Sequence, residues 1–294
     1  DFDKITRILE SPFTSMRLFG VFGLYKLAKL KGYNVIIEGA GGDEILGGYN
    51  YNILPFILDQ NKSKKKIIEN LIKYSLRSPR KTELEILYRL SALKIQGAST
   101  TDCTPFVDIN SFNRDYLDYT IDEKFFEIKK EKFKNFNKMN NLQKSQIQDL
   151  QEIKLPRNLK FTDRLSMINN IETRLPFLEQ DFAKYCFNLK NSAKIKNGIN
   201  RWIMKQALKK ITRKLSFDKD KKSIVDPQTL WFKKNLRNYF IDNITSSNFK
   251  NMGIFDHKYI LNKYNRFIKG EKLDSSFQFF QILSSFRFLE IFKK

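Results

Sequence analysis

Asp43, Glu44, Arg164, Glu172, Arg174 and the lysines of residues 219–222 are the side chains whose types and surroundings suit chemistry in this sequence. The first two lie in residues 34–52, NVIIEGAGGDEILGGYNYN. Asn34 to Glu38 reads as a short buried strand. A turn with Gly39, Gly41 and Gly42 follows, then Asp43 and Glu44, then the pair Gly47 and Gly48. A strand that empties into a glycine loop with acids at its carboxyl end is where α/β sheets bind ligands. Glycine lets backbone N–H groups approach a phosphate closely. An acid beside it can hold Mg2+, which bridges to phosphate oxygens. A structural reading competes: a βα turn whose helix is capped by Asp43.

Two further stretches carry charge in patterns that suit a site. In residues 159–189, Asp163 with Arg164 and Glu172 with Arg174 form two acid–base pairs close together. Arg174 precedes Leu175-Pro176-Phe177, a rigid extended exit. The arginines suit either bidentate capture of a carboxylate or phosphate, or structural ion pairs. In residues 219–231, KDKKSIVDPQTLW, lysines stand before a proline loop, and Trp231 is predicted to start a buried helix. A lysine there suits stabilisation of a transferring phosphoryl or adenylyl group. Cys186 falls on a helical core stripe with Phe182, Tyr185 and Leu189, so it reads as core rather than nucleophile.

These residues need elements to position them. Residues 1–33 are predicted as two helices broken at Ser11-Pro12. Ile5, Ile8 and Leu9 share one face of the first. The second, Met16 to Leu30, is apolar around most of its surface and is expected to be well buried, with Gly32 ending it. Residues 53–150 read as a helical insertion. It includes the helical spacing of Ile67, Ile68, Leu71, Ile72 and Leu76, a capping box Thr82-x-x-Glu85 before a helix Leu84 to Ile95, and a loop Gly97 to Pro105. Residues 121–150 are charged and repetitive. The C-terminus is predicted as an aromatic helix with Phe279, Ile282, Leu283, Phe286 and Leu289 on its core face. The fold class is α/β, predominantly helical, with one or two strands of an incomplete parallel sheet.

Composition narrows the function classes. The 294 residues are 41% hydrophobic with 27 Phe, a globular balance. No apolar run reaches the ~18 residues of a membrane span. Two cysteines, Cys103 and Cys186, make no disulfide framework, and with His257 alone they make neither a zinc site nor histidine catalysis. A cytoplasmic location is expected. The net charge of +22 suits a polyanion partner. The lysines, however, are not grouped with arginine and aromatic platforms, so the charge reads as a solvated face and nucleic acid is not the expected partner. The chain opens on Asp1 without methionine, which reads as a fragment or cleaved product.

Taken together, the three stretches resemble the synthetase domain of the asparagine synthetase (glutamine-hydrolysing) family. That family's S-G-E-G-A-D-E-I-F-G-G-Y is matched by Glu38 to Tyr49, EGAGGDEILGGY. Its D-R-M-S-M…E-x-R-x-P-F-L-D is matched by Asp163 to Met167 and by Glu172, Arg174 and Pro176 to Glu179. Its K-K-G-F-x-x-P-x-x-x-W is echoed by Lys221 to Ile224, Pro227 and Trp231. Arg201 to Leu208 is similar to its K-x-x-L-R-x-A-L helix. The order and spacing agree over about residues 1–240. The resemblance implies an ATP pyrophosphatase of the PP-loop type. In it the side-chain carboxylate of aspartate attacks the α-phosphate of ATP, and ammonia from glutamine displaces AMP to give an amide. It implies that Glu38, Gly39, Gly41 and Gly42 line the nucleotide and that Asp43 ligates Mg2+. Lys221 would stabilise charge at the α-phosphate, and Arg164, Glu172 and Arg174 would organise the floor.

Three departures shape the expectations. The family's S-G-G-x-D-S loop does not occur in these 294 residues. Neither cysteine can serve as the N-terminal nucleophile of a glutaminase domain, so ammonia would come from a domain outside them. The acid in the middle of the family's G-E-G is Ala40 here, and Glu38 is expected to share its face along the strand and replace it. A sugar-acid or peptide carboxylate remains an alternative acceptor, and a non-catalytic relative an alternative protein. An incomplete sheet should expose an apolar edge and face, so self-association, even a homo-oligomer, is expected.

Overall fold

The computed structural model describes residues 1–60 apart from Thr14, residues 63, 65–67, 69 and 70, and residues 138–212, 227–270 and 276–292. Lys221, Cys103, the Thr82–Glu85 capping box, the helix Leu84 to Ile95 and the loop Gly97 to Pro105 lie outside the described residues.

The described chain is mostly helical around a small parallel sheet. Helix α1 (Phe2–Leu9) buries Ile5 and Leu9 one turn apart and ends on Glu10 in the left-handed region. After the Ser11-Pro12 break, α2 (Arg17–Leu30) runs to Gly32, whose φ of 85° and N–H bond to Lys29 O (2.9 Å) close the helix. Then come β1 (Val35–Ile37), α3 (Gly42–Leu46) and α4 (Ile53–Gln60). Helix α5 (Asn141–Gln148) passes into a π-helical turn, Asp149–Ile153, and on into α6 (Leu155–Met167). Strand β2 (Glu172–Arg174) is followed by α7 (Gln180–Asn188) and α8 (Asn191–Lys194). A hairpin of β3 (Ile195–Lys196) and β4 (Ile199–Asn200) leads into α9 (Trp202–Ile211). Its two-residue loop, Asn197-Gly198, has positive φ at both positions, as a hairpin turn of matching twist requires. Helices α10 (Gln228–Lys233), α11 (Arg237–Thr245), α12 (Ser247–Asn251), α13 (His257–Lys269) and α14 (Ser276–Phe292) complete the chain.

The main core joins α1, α2 and α6 to α10–α14. Helix α14 buries Phe279, Ile282, Leu283 and Phe286, the face its spacing predicts, while Leu289 is half-buried. A second cluster packs Ile53, Leu54, Phe56 and Ile57 against Leu142 and Ile195. There Asp59 accepts from the backbone N–H groups of Asn141 (2.8 Å) and Leu142 (3.0 Å) at the start of α5. An acid satisfying those orphan donors fits the helix dipole.

Three burial expectations need correction. Helix α2 is not buried all round. Leu18, Phe22 and Tyr25 face the core, but Leu24, Leu27 and Leu30 face out, Leu30 with 75% of its surface exposed. Strand β1 is not a buried strand either, since only Ile36 turns to the core and Ile37 is 73% exposed. The cause is that among the described residues β1 has one neighbour, β2, and nothing covers the face of Val35 and Ile37. Alternation then puts every second apolar residue in solvent. On α7, Cys186 is buried but Phe182 and Tyr185 are exposed, so the stripe is narrower than its spacing suggests. Trp231 is the fourth residue of α10, whose buried members are Gln228 and Phe232. No helix among the described residues is long and apolar enough to cross a membrane.

Candidate active site

Strands β1 and β2 run parallel with Val35 beside Glu172, Ile36 beside Thr173 and Ile37 beside Arg174. Glu172 N–H bonds Asn34 O (2.8 Å) and Glu38 N–H bonds Arg174 O (2.9 Å). This pairing lays the first two motifs side by side with their carboxyl ends together, the end of an α/β sheet where ligands bind. On the solvent face Arg174 Nε bonds Glu172 Oε1 at 2.8 Å. Both side chains are more than half exposed, so the pair contributes little to stability. Glu172 and Arg174 are thus the expected acid–base pair. Arg164 pairs instead with Glu10 (2.7 Å), not with Asp163, and its Nη1 also donates to Ile8 O (3.0 Å). The partners of Arg164 are therefore at the end of α1, and that guanidinium holds the Glu10 carboxyl below its ordinary range.

Glu38 leaves the strand on the face opposite Ile37, toward the core. There the Tyr25 hydroxyl of α2 donates to Glu38 Oε1. Burial first, and then this carboxylate, push the Tyr25 phenol well above its ordinary pKa. The hydroxyl therefore stays protonated and holds Glu38 in one place. The ladder ends at Glu38 and residues 39–41 turn, so strand alternation does not carry on to Ala40. The shared-face argument for Glu38 replacing an acid at Ala40 does not follow from this backbone.

The glycines of the turn divide by neighbour. Gly41 has φ 91°, and a Cβ there would lie 2.2 Å from Leu178 Cδ2. A Cβ on Gly42 would lie 3.3 Å from the Phe177 ring. The Pro176-Phe177-Leu178 segment therefore demands glycine at 41, where φ is also positive, and leaves only tight room at 42, apart from any ligand. Gly39 has no atom within 4 Å of its Cβ position and faces open space. Gly41, not Asp43, occupies the N-cap of α3.

Asp43 faces Arg201. Its Oδ1 lies 3.2 Å from Arg201 Nη1, with side chains 23% and 29% exposed respectively. Gly48 makes room for this carboxylate, since a Cβ there would lie 2.0 Å from Asp43 Oδ1. The neighbouring acid, Glu44, is buried and turned to the Tyr49 hydroxyl (2.6 Å). Among the described residues no group of three acids, histidines or cysteines could hold a metal ion. Among the described residues the donor set at Asp43 is one carboxylate with a guanidinium 3.2 Å from its Oδ1, and that positive charge opposes a divalent cation there.

Behind the turn lies a buried polar network that sequence reasoning missed. Tyr49 and Tyr51 stack at 5.1 Å, and Lys154 Nζ sits 3.3 Å and 4.1 Å from their ring centroids. Tyr51 donates to Asp149 Oδ2 (2.7 Å). Burial pushes the Asp149 carboxyl up to about 6, against the opposing charge of Lys154. Gln146 donates to Glu44 O (2.8 Å) and accepts from Lys194 Nζ (2.8 Å), which also donates to Phe187 O (2.6 Å). Lys194 is fully buried, and burial lowers its pKa to about 8. These partners come from residues 146–194, at least 100 positions from α3, with no local spacing to announce them. Cys186 is buried at 3% exposure, and burial raises its thiol pKa, consistent with core.

The asparagine synthase family model matches residues 1–287. The fold and site therefore belong to a chain of the asparagine synthase family. Among curated proteins it is similar to asparagine synthetase [glutamine-hydrolyzing] 1 of Bacillus subtilis, 23% identical over 256 residues, which are 82% of this chain and 38% of that protein. It is also similar to amidase chry2 of Gibberella zeae, 25% identical over 100 residues, 32% of this chain and 15% of that protein. The chain spans well under half the length of these relatives. No solved structure matches it.

Proposed function

We propose that this chain is the adenylating and amide-forming part of an ATP-dependent amidotransferase of PP-loop type. The observation that supports this most is the parallel pairing of β1 with β2, which joins two motifs of the family at one sheet end. A carboxylate oxygen of aspartate attacks the α-phosphorus of ATP and pyrophosphate leaves. Ammonia derived from glutamine then attacks the acyl carbon of β-aspartyl-AMP, loses a proton, and AMP departs with its oxygen to leave asparagine. Adenylation is needed because a free carboxylate offers ammonia no leaving group. Gly39, the open glycine of the turn, lies against the nucleotide. Glu38, held by Tyr25, is the acid nearest the turn to take the proton from ammonia. Glu172 and Arg174 form the floor, Arg164 supports it from α6, braced on the end of α1, and Lys221 steadies charge at the α-phosphate.

Ala40 favours a second acceptor, a sugar-acid or peptide carboxylate, because the family's acid is missing there. Carboxylate-dependent exchange of labelled pyrophosphate into ATP tests both. Exchange driven by aspartate supports asparagine formation, and exchange driven only by the other carboxylates moves the acceptor. Absence of exchange with every carboxylate rejects the adenylating reading. Where exchange is present, Glu38→Ala should leave it intact while cutting ammonia-dependent amide formation about a hundredfold, a general base's usual contribution. Full amide synthesis by Glu38→Ala would remove Glu38 from the proton transfer.

A further inference from the structure

The glycine turn carries a cation of its own. Arg201 comes from the residue between β4 and α9 and has φ 56°, a left-handed conformation that a side chain of this size adopts only where its surroundings impose it. Those surroundings are visible. The Asn197-Gly198 hairpin fixes β4, and Asn200 of β4 donates from Nδ2 to Tyr49 O at 2.8 Å. Arg201 is thereby delivered to Asp43, whose carboxylate fits the space left by Gly48. Among the described residues no second carboxylate completes a cage, because Glu44 is committed to Tyr49. A guanidinium has five N–H donors in a planar fork, and here Nη1 meets Asp43 Oδ1 as an ion pair without a hydrogen bond. Its Nε–H is buried and has no acceptor among the described residues.

We propose that Arg201, rather than a divalent ion, supplies the positive charge at Asp43, and that Asp43 is a positioning residue aiming this guanidinium at a phosphate group of the substrate. The choice of phosphate rests on the nucleotide reading above, whereas the exclusion of a metal at Asp43 does not. An anion held this way is bound by charge-assisted N–H donors that need no metal. Lysine at position 201 would keep the charge and lose the fork.

The test uses the full chain with two probes. Free Mn2+ is titrated by electron paramagnetic resonance into wild type and Asp43→Asn, and the two should bind it equally. A tenfold or greater loss of Mn2+ affinity in Asp43→Asn would overturn the proposal. Pyrophosphate binding is measured by calorimetry in EDTA. Wild type should bind it, with affinity at least tenfold weaker in Arg201→Met and intermediate in Arg201→Lys. Binding that appears only with Mg2+, or that Arg201→Met leaves unchanged, overturns the anion role. Thermal melting of the Asp43→Asn and Arg201→Met single and double variants checks the ion pair independently of folding losses. The double should melt with the less stable single, and additive losses would deny the coupling. A failed nucleotide reading shows differently, as no binding of ATP by a wild type whose Asp43–Arg201 coupling is intact.

Discussion

The helices from Gln228 to Phe292 meet through rings, whereas the elements behind the glycine turn meet through charges. In the first region Phe240 lies 4.4 Å from Tyr264, and Phe279 meets both edge-on at 5.6 and 5.1 Å. Tyr264, the one polar handle in that trio, donates to Phe232 O at 2.5 Å, and burial pushes its phenol up to about 12. In the second region Glu44, Asp149, Lys154 and Lys194 are all buried within one set of contacts. Rings contribute area and shape, which do not depend on pH. Buried charges tie folding to protonation. The candidate site thus stands on the part of the molecule whose stability is adjustable, and the ring core anchors it from the other side.

The contrast can be broken by exchanging one residue on each side. Phe279→Ala should cost about 3–5 kcal/mol, because a fully buried ring leaves a cavity among rigid neighbours. Urea unfolding at several pH values would show a loss of equal size at each, and a loss that varied with pH would undo the distinction. Asp149→Asn should act in the opposite sense. The folded carboxyl titrates near 6 against an ordinary 3.8. Its neutral form is the favoured one in the fold, so stability from this group is full below pH 3.8 and falls as pH rises toward 6. Wild type and Asp149→Asn should therefore be close at pH 4, with the variant ahead at pH 7 by on the order of 2–3 kcal/mol. Parallel unfolding midpoints across that window would refute the charge-based account. The smallest effect on folding belongs to the uncovered face of α2. Replacing Leu24, Leu27 and Leu30 with Gln should change stability by no more than about 0.5 kcal/mol each. We expect wild type to self-associate through this face and the triple variant to sediment as a smaller species. Identical sedimentation would locate association elsewhere.

How much of this was legible in the sequence depended on the range of the interaction. Local signals were readable: the glycine turn, the Ser11-Pro12 break, Gly32 and the stripe on α14 all follow from neighbours within a few residues. Asn197-Gly198 was equally readable as a hairpin and was missed, although the dipeptide is a strong turn signal. Helix α2 misled because a uniformly apolar sequence implies burial only if every flank has a partner. The polar network was out of reach, since Tyr51 and Asp149 are brought together across 98 positions. Gly48 read only as the second of a glycine pair after the acids. The reason for its lack of a side chain is the Asp43 carboxylate beside it, a contact that no motif encodes.

The buried Cys186 thiol has a use of its own. Its pKa is raised by the apolar packing of α7 against Ile45 and Leu46, at the back of the turn. A thiol in that setting reacts with alkylating reagents only when the packing parts. In a chain with Cys103 replaced by Ser, the labelling rate of Cys186 would report how often α3 and α7 separate. The protein thereby carries a clock for the breathing of its own candidate site, one that runs without substrate.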